Sequence, residues 1–465
     1  MPDNQILTLD QMRRAEAALI AAGTPVQALM DRAGRGAAHW VWRMAAGRAV
    51  TVLVGPGNNG GDGWVLAEEL RQRGGAVTVV EAHPPRGAAA EAAKAAYRGA
   101  VLGREGVTDG VVLVDALFGS GLTRALAGED AALLVRLAHS HPLRIALDLP
   151  SGIDTDSGAA LNAGLPDYAL TLALGAYKFA HFLMPGAARA AEVRLVPIGC
   201  AAVAGAAQVV TRPVLSAPPV DAHKYRRGLL AVVAGAMPGA AMLAARAAQG
   251  AGAGYVKLVS DHPMWVPPDL VRAGSEAVHD ARAAALLVGP GLGRHGRARS
   301  TLAEVLAAAK PGVLDADALM LLDPDRLAAH HRTAPDSLVA TPHEGELVAL
   351  EHAFGLPSGG TKAERAQALA GAAGLVVVAK GPDTVIAAPD GRLALAARAP
   401  SWLSVAGTGD VLAGIIAARL AAGAEPFAAA CAGVWLHGQA ARLAMVPFTA
   451  AELAGAVPAA YRAAL

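Results

Sequence analysis

Apolar positions along the chain switch repeatedly between two periods. Over residues 7–46, Leu9, Met12, Leu19, Ile20, Leu29 and Met30 recur at roughly helical spacing, and Gly23-Thr24-Pro25 breaks the run. That spacing predicts helices on either side of the break. Short, almost wholly apolar runs follow near 49–54, 76–82, 110–116, 144–148 and 167–174, separated by helical stretches around 62–73, 88–99 and 129–139. Such alternation predicts a parallel sheet with helices on both faces. A further strand over 192–198 ends at Gly199, and the pattern then loosens around Pro213, Pro218 and Pro219. A domain boundary is therefore expected near 205, giving domains 1–204 and 205–465. Alternation restarts with strands at 229–234, 255–259, 286–288, 313–314, 338–340 and 375–379, and a helix over 240–250. Strands 384–388 and 392–397 surround Pro389-Asp390-Gly391, a hairpin signal, and the C-terminal stretch reads as helical. The expected fold class is α/β, in two tandem three-layer domains, the first Rossmann-like.

Composition narrows the function classes. A formal net charge of +1 over 465 residues gives no basic field for nucleic acid, and 4% aromatic content argues against base-stacking platforms. The most apolar region, 228–254, is interrupted by Pro238 and Arg246, so no membrane span is expected. Met1-Pro2-Asp3-Asn4-Gln5 lacks the basic start and apolar core of a leader, and two cysteines, Cys200 and Cys431, are too few for a disulfide framework. These features predict a soluble, cytoplasmic chain with no nucleic-acid or membrane partner. A homo-oligomer is expected.

The chemistry of the first half centres on Gly55-Pro56-Gly57-Asn58-Asn59-Gly60-Gly61-Asp62-Gly63, which follows the first strand. The next helix is expected to begin at Asp62. The five glycines are expected to let the backbone curl at positive φ and to let a ligand approach it. Two more strands lead into Asp115-Ala116-Leu117-Phe118-Gly119-Ser120-Gly121-Leu122 and Asp148-Leu149-Pro150-Ser151-Gly152-Ile153-Asp154. In a doubly wound sheet, the carboxyl ends of neighbouring strands open into one crevice. Asn59, Asp115, Asp148 and Ser151 could converge there as oxygen donors for a hard cation, and either aspartate could act as acid or base. A strand-end aspartate is also an ordinary cap or turn former.

These three motifs, with Leu7-Thr8-Leu9-Asp10-Gln11-Met12-Arg13 and Leu29-Met30-Asp31-Arg32-Ala33-Gly34, resemble the NAD(P)H-hydrate epimerase family over roughly residues 7–200. The resemblance implies that Asn58, Asn59, Gly60, Gly61 and Asp62 embrace the damaged nucleotide together with Gly119, Ser120, Gly121, Leu122, Thr123, Arg124 and Ala125. It implies potassium at Asn59, Asp115 and Ser151, and Asp148 against the hydrated ring as the candidate acid/base. Such enzymes equilibrate the R and S epimers at the hydroxyl-bearing carbon.

In the second half, Gly407-Thr408-Gly409-Asp410 opens an apolar helix. A glycine turn there presents free N–H groups and the positive dipole end to an anion, and Asp410 is placed to take a proton from an accepting hydroxyl. No Gly-Lys-Ser/Thr follows, so this is not a Walker A loop. Gly289-Pro290-Gly291-Leu292-Gly293, Thr341-Pro342-His343-Glu344-Gly345-Glu346 and Lys380-Gly381-Pro382-Asp383-Thr384 each follow a predicted strand. With His223-Lys224 and Pro238-Gly239-Ala240, they resemble the ADP-dependent NAD(P)H-hydrate dehydratase domain, a ribokinase-like fold, over about 221–450. This implies a hydrate site at Ala240, Gly291 or Gly293, His343 and Asp410. It also implies a nucleotide site at Lys380, Gly381, Pro382, Asp383, Thr384 and Gly409. ADP would phosphorylate the hydrate, NADHX or NADPHX, and expulsion of phosphate would restore the dihydronicotinamide. Mg²⁺ is expected with the nucleotide, with Glu346 as a candidate ligand. The 399–406 loop lacks the family's usual Asn-Pro-Gly, and Pro382-Asp383 replaces smaller residues; both departures surround the nucleotide and bear on the ADP/ATP preference. The alternative is an ATP-dependent small-molecule kinase whose N-terminal half only binds.

Overall fold

The computed structural model describes residues 3–106, 108 and 110–465; Met1 and Pro2, the start of the segment read for a leader, lie outside the described residues. Contacts divide the chain into two compact units, meeting between Gln208 and Val209. Among the described residues no helix is long and apolar enough to cross a membrane.

After a short strand, Gln5–Leu7, the first unit carries helices α1 (Leu9–Ala21) and α2 (Val26–Ala45). Thr8 starts α1 through a capping box: its hydroxyl accepts from the Gln11 amide while the Gln11 side chain accepts from the Thr8 N–H. Seven strands follow: β1 (Val50–Val54), β2 (Val77–Glu81), β3 (Ala100–Leu102), β4 (Val112–Ala116), β5 (Leu143–Leu147), β6 (Leu170–Leu174) and β7 (Glu192–Val196). They form one sheet in the order β3-β2-β1-β4-β5-β6-β7, every pair parallel. β1, β4 and β6 are buried at every position, as expected of strands covered on both faces. The edge strand β3 escapes sequence reading because it is three residues long and largely exposed. Among the connecting helices are α3 (Asn58–Gln72), α4 (Ala88–Ala96) and α5 (Gly128–Ser140).

In the second unit, β8 (Leu229–Val233), β9 (Tyr255–Val259), β10 (Val271–Ala273), β11 (Ala283–Val288), β12 (Gly312–Leu314), β13 (Leu338–Ala340), β14 (Val376–Ala379), β15 (Val385–Ala387) and β16 (Leu393–Leu395) line up as β10-β9-β8-β11-β12-β13-β14-β15-β16. The pairs are parallel through β14 and antiparallel from β14 to β16, which is the expected hairpin. Helices α6 (Pro238–Gly250), α7 (Gly296–Ala307), α8 (Glu344–Ala353), α9 (Lys362–Ala373), α10 (Thr408–Ala421), α11 (Pro426–Leu443) and α12 (Ala450–Arg462) are its main helical cover. α10 is apolar all round because it is buried between neighbours: Gly414 lies where any Cβ would fall 2.1 Å from the Ala244 carbonyl oxygen of α6.

Strand order reverses between β1 and β4 and again between β8 and β11, and in such sheets the crevice lies at these reversals. At the first reversal the structure corrects the sequence reading. α3 begins at Asn58 rather than Asp62, and none of Gly55, Gly57, Gly60, Gly61 and Gly63 adopts positive φ. Gly55, Gly60, Gly61 and Gly63 serve close packing instead. A Cβ at Gly55 would sit 1.8 Å from the Leu117 carbonyl oxygen, one at Gly60 2.0 Å from the Gly55 oxygen, and one at Gly61 2.4 Å from the Met30 methyl. Gly60→Ala is therefore expected to cost about 1–3 kcal/mol, because the clash is with backbone that must move. Gly57→Ala, whose Cβ would meet open space, should cost no more than about 1 kcal/mol. Thermal unfolding of the two variants checks the contrast.

Candidate active sites

The first cavity, about 470 Å³, lies where β1 and β4 diverge. Asn58, Asn59, Asp62, Gly119, Ser120, Gly121, Leu122 and Asp148 line it, with Glu16, Arg13 and Lys178. Gly60 and Gly61 lie behind this wall, packed on Gly55 and Met30. Thr123, Arg124 and Ala125 continue the 119–122 loop on its exposed side.

Asp148 follows β5 at φ +66°, a left-handed conformation that aspartate tolerates better than most side chains. Its Oδ1 accepts from Lys178 Nζ at 2.5 Å and from the Leu174 N–H at 3.3 Å, and its Oδ2 from the Ser120 N–H at 2.9 Å. Burial alone would raise its pKa, but the Lys178 ammonium and these hydrogen bonds outweigh burial and hold the carboxyl below its usual range. His181 completes the frame. Its Nδ1 accepts from the Lys178 N–H at 3.0 Å, so Nε2 carries the proton and donates to the Asp148 carbonyl at 2.8 Å. Burial, with the Lys178 charge, pushes the imidazole down to about 4, leaving it neutral.

Asp115 is fully buried and its oxygens are occupied: Ser151 Oγ donates at 2.8 Å, the Ser151 N–H at 3.1 Å, the Leu117 N–H at 3.1 Å and Tyr168 Oη at 2.5 Å. Burial raises its pKa against these four bonds. Phe118 donates its N–H to Ser151 Oγ, and the adjacent Gly119 lies against both Asn59 and Asp148. The Asn59 amide stands apart: both its oxygen and its nitrogen are buried without a partner among the described residues. An orphaned amide oxygen, a carboxylate and a hydroxyl are the kinds of donor a hard cation takes, so by donor type these residues fit the potassium ion that the resemblance implies.

The second cavity, about 610 Å³, is lined by His343, Lys380, Gly381, Pro382, Thr384 and Gly409, with Trp435, His437 and the 399–404 loop. Ala240, Gly291, Gly293, Asp383 and Asp410 lie outside that lining, and the Asp383 carboxylate is 2.6 Å from Lys362 Nζ. Gly407 caps α10 at φ +93°, packed against Leu243 of α6, so the N-termini of the two helices lie side by side. Ala240 is in the first turn of α6. Gly291 and Gly293 hold φ +62° and +82°, and the Gly291 carbonyl accepts from the Met237 N–H at 2.8 Å, joining the 289–293 loop to α6. His343 caps α8, its Nδ1 accepting from the Glu346 N–H while the Glu346 carboxylate accepts from the His343 N–H at 2.8 Å.

Lys380 Nζ reaches Asp315 Oδ1 at 2.8 Å, where Thr341 Oγ1 also donates at 2.7 Å, and lies 3.9 Å from Glu346. Burial would lower the ammonium's pKa, but Asp315 reverses the sign and raises it. Asp410 goes the other way. Burial, and then the Asp315 charge, push it up to about 7 against the pull of Lys380.

Sequence reading passed over several of these groups. Asp315 carries the same strand-end signal as Asp115 and Asp148 and could have been found by it. Asp317, which accepts from the Gly293 N–H at 2.9 Å, lies two residues on. Lys178, His181 and Tyr168 belong to no motif, and His437, whose Nε2 donates to the Thr408 carbonyl at 2.9 Å, sits alone in an apolar helix.

Comparison with known proteins adds an independent line. A family model described as NAD(P)H-hydrate dehydratase matches residues 230–457, and one described as YjeF-related protein N-terminus matches 26–179. The bifunctional NAD(P)H-hydrate repair enzyme Nnr of Mycobacterium leprae is 34% identical over 452 residues, covering 93% of this chain and 92% of its own. The protein of the same name from Mycobacterium tuberculosis is 36% identical over 442 residues, covering 90% and 89%. Among solved structures, the ADP/ATP-dependent NAD(P)H-hydrate dehydratase from Bacillus subtilis, co-crystallised with ATP and Mg²⁺, is 30% identical with a TM-score of 0.46. It covers 54% of this chain and 95% of that one.

The geometry around Asp115 yields a stability test. Tyr168→Phe removes a donor from a fully buried carboxyl, which is expected to cost about 1–3 kcal/mol. Chemical denaturation against the parent chain measures it.

Proposed function

Because the chain belongs to the family of bifunctional NAD(P)H-hydrate repair enzymes, which it matches over nearly its whole length, we propose that its two cavities house the two activities. The first equilibrates the R and S hydrates of NADH and NADPH, and the second dehydrates the S hydrate at the expense of ADP. The observation that carries this reading is the presence in one chain of two cavities at strand ends, each holding the lysine of a lysine–aspartate pair.

In the first, Asp148 stays ionised at neutral pH and so serves as base, while Asn58, Asn59 and Asp62 and the 119–125 loop hold the dinucleotide. Asn59, with Asp115 and Ser151, would hold potassium, which supplies a fixed positive charge beside the substrate when bound. In the second, the α10 N-terminus offers its free N–H groups to the transferring phosphoryl group, and Gly409 lies 3.3 Å (measured from an added Cβ) from Lys380 Nζ. Asp410 takes the proton of the hydrate's hydroxyl as that oxygen attacks the terminal phosphorus of ADP, releasing AMP. The ring nitrogen's electron pair then expels phosphate, and loss of a neighbouring carbon-bound proton restores the dihydronicotinamide. Phosphate leaves far more readily than hydroxide. Lys380 to Thr384 serve the nucleotide, and Ala240, Gly291, Gly293 and His343 the hydrate. Mg²⁺ supplies charge neutralisation at the ADP phosphates. One Glu346 oxygen already caps His343, so the phosphates would provide most of its ligands. A cytoplasmic homo-oligomer is the form proposed.

Asp148→Asn is expected to abolish epimer equilibration, by about 100-fold or more, and to leave dehydration of pure S hydrate intact. Asp410→Asn should do the reverse. Chromatography of the epimers and return of dihydronicotinamide absorbance read the two activities separately. Since Asp410 titrates at about 7 and acts deprotonated, dehydration should rise with pH through neutrality and then level off. A rate already flat from pH 5 to 8 would contradict its role as base.

A further inference from the structure

Three carboxyls and one ammonium line the first cavity: Glu16 on α1, Asp62 on α3, Asp148 after β5 and Lys178 after β6. Only Asp148 is bonded to the lysine. Lys178 is 1% exposed and gives a second N–H to the Leu174 carbonyl at 2.7 Å. Asp62 is 8% exposed, and among the described residues no donor bonds its carboxyl; its neighbours act on it through charge alone. A buried carboxyl without a partner is costly, and two buried carboxylates cannot share one ammonium that is committed to one of them. The groups facing Asp62 are Asp148, Glu16 and Lys178, with Arg13 beside Glu16 at the cavity mouth. Burial first, and then Asp148 and Glu16, raise the Asp62 pKa well above its usual range, while Lys178 holds that of Asp148 below it. Two carboxyls whose surroundings push their titrations apart form an acid/base pair.

We propose that Asp62 is the catalytic acid of the epimerisation, giving its proton to the hydrate's hydroxyl as the ring carbon–oxygen bond breaks, with Asp148 as the base that accepts the proton of the returning water. This rests on the epimerase reading of the first cavity. The breaking bond's electron pair leaves with oxygen, which takes the Asp62 proton and departs as water. The ring nitrogen's lone pair forms the C=N bond of a cationic ring, which lies beside the Asp148 carboxylate. A second water adds to the opposite face of the same carbon and passes a proton to Asp148. The reverse reaction uses the same two groups with their roles exchanged, and no further reactant is required. Lys178 is a positioning residue in this scheme.

The test uses the full chain, isolated R and S hydrates, and water enriched in heavy oxygen, with enzyme-free exchange subtracted. Each inversion by the parent chain is expected to place one solvent oxygen on the product epimer, because the departing and arriving waters lie on opposite faces. Asp62→Asn should slow equilibration by about 100-fold or more and abolish the fall in rate on the alkaline side, where the acid loses its proton. Dehydration of pure S hydrate should be unchanged. Inversion with the original oxygen retained would overturn the proposal without any variant. So would an Asp62→Asn chain that equilibrates the epimers within about threefold of the parent, well short of what a lost acid costs. A parent chain that does not equilibrate the epimers at all would instead overturn the epimerase reading.

Discussion

The construction of each unit depends on how closely two backbones approach just beyond the ends of neighbouring strands. Leu117 presents its carbonyl oxygen where a Gly55 Cβ would sit, 1.8 Å away, and Asp315 does the same to Gly289 at 1.7 Å. Gly235 lies equally hard against Leu292. Only a residue without a side chain permits these contacts, and each one brings two strand-end loops together. The Asp115 and Asp148 loops reach Asn59 in this way, and the 289–293 loop reaches α6. The glycines that look like ligand cradles in the sequence are therefore first of all packing elements.

Electrostatics repeats between the units. A lysine, buried in the first unit and partly buried in the second, is paired with one aspartate, Lys178 with Asp148 and Lys380 with Asp315. A second aspartate without that pairing, Asp62 or Asp410, is raised by burial and by the first aspartate's charge. The lysine thus acts twice, neutralising one carboxyl and leaving the other poised to carry a proton. The roles differ with the chemistry. Asp410, at about 7, is available as a base near neutral pH, whereas Asp62, shifted well above its ordinary value, is the group suited to give a proton.

Most of the α/β architecture was legible in the sequence, because strands buried on both faces are continuous apolar runs such as Val50–Val54 and Val376–Ala379. Edge strands Ala100–Leu102 and Val271–Ala273 were not, being three residues long and mostly exposed. The start of α3 was misplaced because Asn58-Asn59-Gly60-Gly61 has poor helix propensity, and tertiary packing overrode it. Motif residues with local sequence neighbours, such as Asp148, Ser151, His343 and Asp410, could be singled out. Lys178 and His181 could not, since burial and a charged partner are properties of the folded chain. Asp315 is the exception: its position after an apolar run was visible, and nothing about it but the missing motif set it apart from Asp115.

The central claim is that one chain carries both repair steps. Its most direct test is the return of dihydronicotinamide absorbance from a mixed R and S NADH-hydrate sample with K⁺ and Mg²⁺, with ADP in one run and ATP in the other. The account predicts complete recovery with ADP, both epimers being consumed, and AMP and phosphate formed in equal amounts. Recovery halting at the S fraction would contradict the epimerase half, and no recovery with either nucleotide would contradict the repair function as a whole.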